Sequence, residues 1–134
     1  MDTNLRISII AEVGVNHNGD LETAKDLIEV ASQSGADYVK FQSFNADELV
    51  TRDAVKASYQ IDAMEGDIFQ YQMLKDLSLS YEEHLVLKEF SDAKNICFIS
   101  TAFDTEFVDF LADLGQKIFK VPSGEITNLL LLKH

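Results

Sequence analysis

At 134 residues the chain is long enough for one modest domain with its own core and short for two. Eleven basic against 23 acidic side chains leave a formal charge of −12, which argues against nucleic acid or an anionic membrane as partner, because affinity for a polyanion rests on neutralising phosphates. No segment approaches the roughly 20 apolar residues of a membrane span and the N-terminus lacks a secretory pattern, so a cytoplasmic protein is expected.

In chain order, the apolar run from Ile7 to Val15 predicts a strand. Asn16-His17-Asn18-Gly19-Asp20 then turns into a helix. Asn16 and His17 read either as turn and capping chemistry or, since histidine is a common acid, base or metal ligand, as functional groups. Leu21, Ala24, Leu27, Ile28 and Ala31 fall on one helical face, with Asp20 as the N-cap and Gly35 as the stop. Tyr38 to Phe44 is the second strand. The stretch from Asn45 to Asp67 predicts a long loop with a short helix.

Ser80-Tyr81-Glu82-Glu83 is a capping-box pattern opening a helix through Leu85, Val86, Phe90 and Ala93, with His84 expected at its surface. Ile96 to Phe103 is the third strand, where the single cysteine, Cys97, is expected to be a small buried hydrophobe in a reducing compartment. A further helix starts at Asp104, carries Phe107, Val108, Leu111 and Leu114 on one face and ends at Gly115. Ile118 to Val121 predicts a fourth strand, and Thr127 and Asn128 are capping candidates for a last helix.

Strand starts 31 and 22 residues apart fit tight strand-helix units and a parallel sheet. The expected fold is therefore α/β, about the first four units of a TIM-type (β/α)8 barrel, with no domain boundary within residues 1–134. A complete flavodoxin-like sheet is the alternative.

Buried parallel strands are nearly uniformly apolar, so polar residues inside them need a reason. Lys40 and Gln42 share one face of the second strand by the period of two, Lys120 occupies a comparable place in the fourth with Ser123 and Glu125 just after it, and Glu12 interrupts the first. Barrel active sites sit at the C-terminal strand ends, where these residues cluster. Two inward lysines call for buried carboxylate partners, here Glu12 and Glu125, or for an anionic ligand; the first reading is a pair of internal salt bridges, the second a binding site. The hydroxyls of Ser100, Thr101 and Ser123 would add donors to a phosphate or carboxylate. No second histidine or cysteine stands at a metal-ligand spacing from His17, and no P-loop or dinucleotide fingerprint is present.

Taken together, Ala11-Glu12-Val13-Gly14-Val15-Asn16-His17-Asn18-Gly19, Val39-Lys40-Phe41-Gln42, Phe98-Ile99-Ser100-Thr101-Ala102-Phe103-Asp104 and Phe119-Lys120-Val121-Pro122-Ser123-Gly124-Glu125-Ile126-Thr127-Asn128 resemble the sialic acid synthase family, as do Ala57-Ser58-Tyr59-Gln60 and Tyr71-Gln72-Met73-Leu74-Lys75. The match runs through nearly the whole chain in order. Its members, N-acetylneuraminate, legionaminate and pseudaminate synthases, condense phosphoenolpyruvate with a 2-acetamido sugar. The resemblance implies a (β/α) barrel followed by a small antifreeze-like C-terminal domain in a homodimer, with residues 1–134 as the N-terminal half of the barrel and the remainder absent from this chain.

Carried over position by position, the resemblance implies that Lys40, Gln42, Thr101, Lys120 and Ser123 contact phosphoenolpyruvate and that Tyr59 and Gln60 lie on a loop near the substrates. Glu12 and Glu125 match the carboxylates assigned to sugar binding and acid-base work. It also implies a divalent metal, manganese or magnesium, for the full-length enzyme, its histidine ligands lying outside this chain, so the isolated chain is expected to be inactive. The family commonly has proline where this chain has Ala102 and Leu130. Two other readings stay open: a non-catalytic, phosphate-binding or self-associating half-barrel module, and another phosphoenolpyruvate-dependent sugar-acid synthase.

Overall fold

The computed structural model describes residues 7–50 and 70–134. In chain order it contains β1 (Ile10–Gly14), α1 (Leu21–Gln33), β2 (Tyr38–Ser43), a short α2 (Ala46–Leu49), α3 (Gln70–Leu77), α4 (Tyr81–Ala93), β3 (Cys97–Ala102), α5 (Thr105–Asp113), a single 3-10 turn (Ser123–Glu125) and α6 (Leu129–Lys133). The three strands form one sheet in the order β1-β2-β3, and both pairs are parallel, as the alternation of strands and helices requires.

Alternation along the strands sorts their side chains. Val39, Phe41 and Ser43 point to one face and Lys40 and Gln42 to the other; in β3, Phe98, Ser100 and Ala102 share the first face while Ile99 and Thr101 share the second. The first face carries the core. Val13, Val39, Phe41 and Phe98 meet Ala24 and Ile28 of α1, Leu87 of α4 and Leu111 of α5, and α1 packs beside α4. Each such side chain withdrawn from water contributes about 1.5–3 kcal/mol.

The helix starts follow their caps. The Asp20 carboxylate accepts from the Thr23 N–H at 2.6 Å and that of Asp104 from the Phe107 N–H at 2.8 Å. At α4 both halves of the capping box form, Glu83 N–H to Ser80 Oγ at 3.2 Å and Ser80 N–H to Glu83 Oε2 at 2.7 Å. Asn45 caps α2 and Asn128 caps α6. α3 is a helix that apolar spacing alone does not announce, since Met73 is its one buried residue.

Three expectations are corrected. Residues Ile118 to Val121 form no strand: Ile118, Phe119 and Val121 are 42–49% exposed. The outward backbone groups of Ser100, which a fourth parallel strand would use, are instead bonded to the Gln116 side-chain amide. His84 is fully buried rather than on the surface, because the helical turn that exposes Leu85 and Val86 aims residue 84 at the sheet. Cys97 is exposed, because it is the first residue of β3, at the strand's open end, whereas the five residues after it are buried.

Candidate active site

Four of the residues singled out in the sequence come together on the sheet face opposite the helices. Register places Glu12 of β1 opposite Lys40 of β2, and Gln42 of β2 opposite Thr101 of β3, and paired residues of parallel strands point the same way. Lys40 is 8% exposed. Its Nζ is ion-paired with Glu12 Oε2 and donates to Thr101 Oγ1 at 3.4 Å. This is the internal salt bridge that the sequence allowed as one reading, with a difference: the Glu12 side chain is 53% exposed, so one partner of the pair still faces solvent.

Gly14 explains how the carboxylate and the amide crowd together. The β1-β2 register slips between Glu12 and Gly14, a bulge of the kind found where a strand end re-aims its side chains. Gly14 has φ +57°, and a Cβ there would lie 3.3 Å from Glu12 Oε1 and 3.4 Å from Gln42 Nε2. A side chain at residue 14 would thus be strained in its backbone and would press on two of the four candidate groups.

The other candidates lie elsewhere. Lys120 and Ser123 are exposed, and Glu125 Oε2 accepts from Asn128 Nδ2 at 2.7 Å. Among the described residues none of the three bonds to Glu12, Lys40, Gln42 or Thr101. Lys120 borders a separate cavity of about 410 Å³, lined also by Ala102, Phe119, Pro122, Leu131 and Leu132. Ser100 is corrected as an anion donor: its hydroxyl points to the helix side and meets Ser43. Tyr59 and Gln60 lie outside the described residues.

His17 is fully buried beside Phe41, and its Nδ1 accepts from the Gly19 N–H at 3.0 Å. Burial pushes it below the ordinary histidine value. Its Nε2 has no hydrogen-bond partner among the described residues. Asn16 is exposed and its N–H closes a turn onto the Val13 carbonyl, as turn chemistry requires. Sequence reasoning missed Gln116, Ser43 and the burial of His84. For Ser43 the signal was a polar residue in an apolar run, a pattern that does not say which face it takes; Gln116 and His84 carried no such signal.

No group of three or more His, Cys, Asp or Glu among the described residues is placed to hold a metal ion, so these residues do not fit the divalent metal that the resemblance implies. Nor is any helix among them long and apolar enough to cross a membrane.

The parallel sheet thus carries a lysine, a carboxylate, an amide and a hydroxyl on the face away from the core helices. The NeuB family pattern matches residues 27–134. The chain belongs to the NeuB family. This NeuB-family chain is 53% identical over 126 residues to the N,N'-diacetyllegionaminic acid synthase of Legionella pneumophila, covering 94% of this chain and 35% of that protein. It is 55% identical over 125 residues to the synthase of the same name from Campylobacter jejuni, covering 93% and 37%. The solved sialic acid synthetase of Leptospira borgpetersenii serovar Hardjo-bovis, in complex with citrate, is similar with a TM-score of 0.77 at 34% identity, over 95% of this chain and 40% of that one. The chain spans about a third of the length of the curated relatives it matches.

Proposed function

We propose that this chain is the N-terminal part of a (β/α) barrel nonulosonic acid synthase and supplies the phosphoenolpyruvate side of its site. The observation that carries this reading is Lys40, a buried cation on the sheet face away from the core helices, with Thr101 and Gln42 beside it and, among the described residues, one half-exposed carboxylate as its charged partner. A buried cation gains from a second anion brought to it: at 4 Å and an effective dielectric near 20 the attraction is about 4 kcal/mol before desolvation. An incoming phosphate or carboxylate would share or displace Glu12 and free that carboxylate for the sugar.

The reaction is carbon-carbon bond formation. C3 of phosphoenolpyruvate attacks the aldehyde of an open-chain 2-acetamido sugar, N-acetylmannosamine or a relative, leaving positive charge at C2. Water adds at C2, and the tetrahedral intermediate expels phosphate with carbon-oxygen cleavage. In this reading Lys40, Gln42 and Thr101 orient the phosphoenolpyruvate, Lys120 and Ser123 approach it from the segment after β3, and Tyr59 and Gln60 contribute from their loop. Glu12 takes the sugar side, and Glu125 removes the proton of the attacking water. The isolated chain binds phosphoenolpyruvate and does not turn it over, because it spans only about a third of its relatives.

Calorimetric titration with phosphoenolpyruvate tests this. Lys40→Ala is expected to weaken binding by roughly 1.5–3 kcal/mol, about ten- to hundredfold. Unchanged affinity in Lys40→Ala would sink the site. One observation favours a second reading, a self-associating module without catalysis: Ile118, Phe119, Leu129 and Leu130 are exposed. Synthesis of a nonulosonic acid by the isolated chain from both substrates would exclude that module.

A further inference from the structure

One buried polar network among the described residues has no part in the chemistry above. On the helix side of the sheet the hydroxyls of Ser43 in β2 and Ser100 in β3 are 2.6 Å apart. Ser43 Oγ lies 2.7 Å from His84 Nε2, and His84 Nδ1 lies 2.8 Å from the Ser80 carbonyl. Gln116 closes the other end. Its Oε1 accepts from the Ser100 N–H at 2.7 Å, and its Nε2 donates to the Ser100 carbonyl at 2.9 Å. His84, Ser43, Ser100 and Gln116 are between 0 and 9% exposed.

The direction of each bond follows from the groups. A carbonyl only accepts, so His84 Nδ1 carries a proton. The ring packs against Phe98, Phe107 and Phe110 and is held neutral by its burial, so Nε2 presents a lone pair. The Ser43 hydroxyl therefore donates to His84 and accepts from Ser100. The amide of Gln116 acts on the backbone as a strand would, bonding both the N–H and the C=O of one residue.

This network stands directly behind the candidate site. Ser43 follows Gln42 and Ser100 precedes Thr101, and Gln42 and Thr101 are register partners. In a strand, holding one residue on one face fixes the direction of the next on the other. β3 has β2 on one side, and among the described residues no strand flanks the other. The peptide that joins Ser100 to Thr101 is thus held on its outer side by Gln116.

We propose that Gln116 and His84 are positioning residues: through Ser100 and Ser43 they lock the β2-β3 alignment and the Ser100-Thr101 peptide that set the Thr101 hydroxyl against Lys40. The proposal rests on the reading of Lys40, Gln42 and Thr101 as phosphoenolpyruvate-binding residues. Without the lock, Thr101 swings, Lys40 loses a neighbour, and anion affinity falls although no substrate contact is deleted.

The test uses the full chain and three variants. Gln116→Met keeps length and volume and removes both bonds to Ser100. Ser43→Ala cuts the bridge to His84, and Ser43→Thr restores a hydroxyl. Phosphoenolpyruvate affinity is measured well below each melting temperature, and the nuclear Overhauser contact between the Lys40 ε-methylene and the Thr101 methyl is measured without ligand. Gln116→Met and Ser43→Ala are expected to bind about tenfold more weakly, the loss of one net hydrogen bond's worth of order. Both should lose the contact, and Ser43→Thr should recover both properties. Lower melting temperatures with affinity and contact unchanged would make the network structural only and overturn the proposal. If the wild-type chain bound no phosphoenolpyruvate, the substrate reading would fail, while the ligand-free contact would still decide the positioning claim. If Gln116→Met does not fold, Ser43→Ala carries the same two readouts.

Discussion

His17 and His84 are neutral in the folded chain because burial removes the water that would stabilise their charge, and both lie below the ordinary value of 6.5. The sign of the pH effect follows. Above 6.5 neither folded nor unfolded histidine binds a proton; below it the unfolded chain takes up protons that the folded chain refuses, and stability falls with pH. A urea midpoint followed from about pH 7.5 down to 5 should therefore drop, and His84→Gln should drop less steeply although it starts lower. Gly19 is sensitive for a different reason. It has φ +75°, and a Cβ there would lie 2.1 Å from the Asp76 carbonyl oxygen, so the turn after β1 and the end of α3 are in backbone contact. Gly19→Ala is expected to cost about 1–3 kcal/mol from the backbone conformation alone, and more from the clash, read as a lowered denaturation midpoint.

At the scale of elements, α4 depends on its reciprocal cap, because its exposed face carries Leu85 and Val86 and only His84, Leu87 and Ser91 are buried. Ser80→Ala removes the acceptor for the Glu83 N–H and should destabilise the chain by about 1 kcal/mol, lowering the melting temperature by several degrees. The caps and the helix faces were legible because each depends on residues within one or two turns of one another, and the parallel sheet because strands alternate with helices along the chain. The segment Ile118 to Val121 has the composition of a strand, yet composition cannot supply a partner. A strand exists only where another backbone offers hydrogen bonds, and at Ser100 the Gln116 amide has already taken them. Gln116 reads in the sequence as an ordinary polar residue after a glycine.

At the scale of the molecule, several large apolar side chains among the described residues stand outside the core. Ile9, Ile10, Ile118, Phe119, Ile126, Leu129 and Leu130 are 42–82% exposed. Exposed apolar area of this kind drives association. Sedimentation is expected to show a mass that rises with concentration, and Leu130→Lys combined with Ile118→Lys should shift it toward the monomer; a monomer at all concentrations would contradict this.

The sequence by itself determined the α/β class, the parallel sheet, the helix caps and the family to which the chain belongs, because these reside in local patterns and in motif order. It also brought Glu12, Lys40, Gln42 and Thr101 forward as polar residues in strands. Only the tertiary structure decided that these four share a face, that Ser100 turns away from them, and that Lys120, Ser123 and Glu125 make no bond to them among the described residues. The reason is physical: which face a polar residue takes depends on strand register, and register is set by bonds between segments 28 and 59 residues apart, such as Glu12 to Lys40 and Gln42 to Thr101.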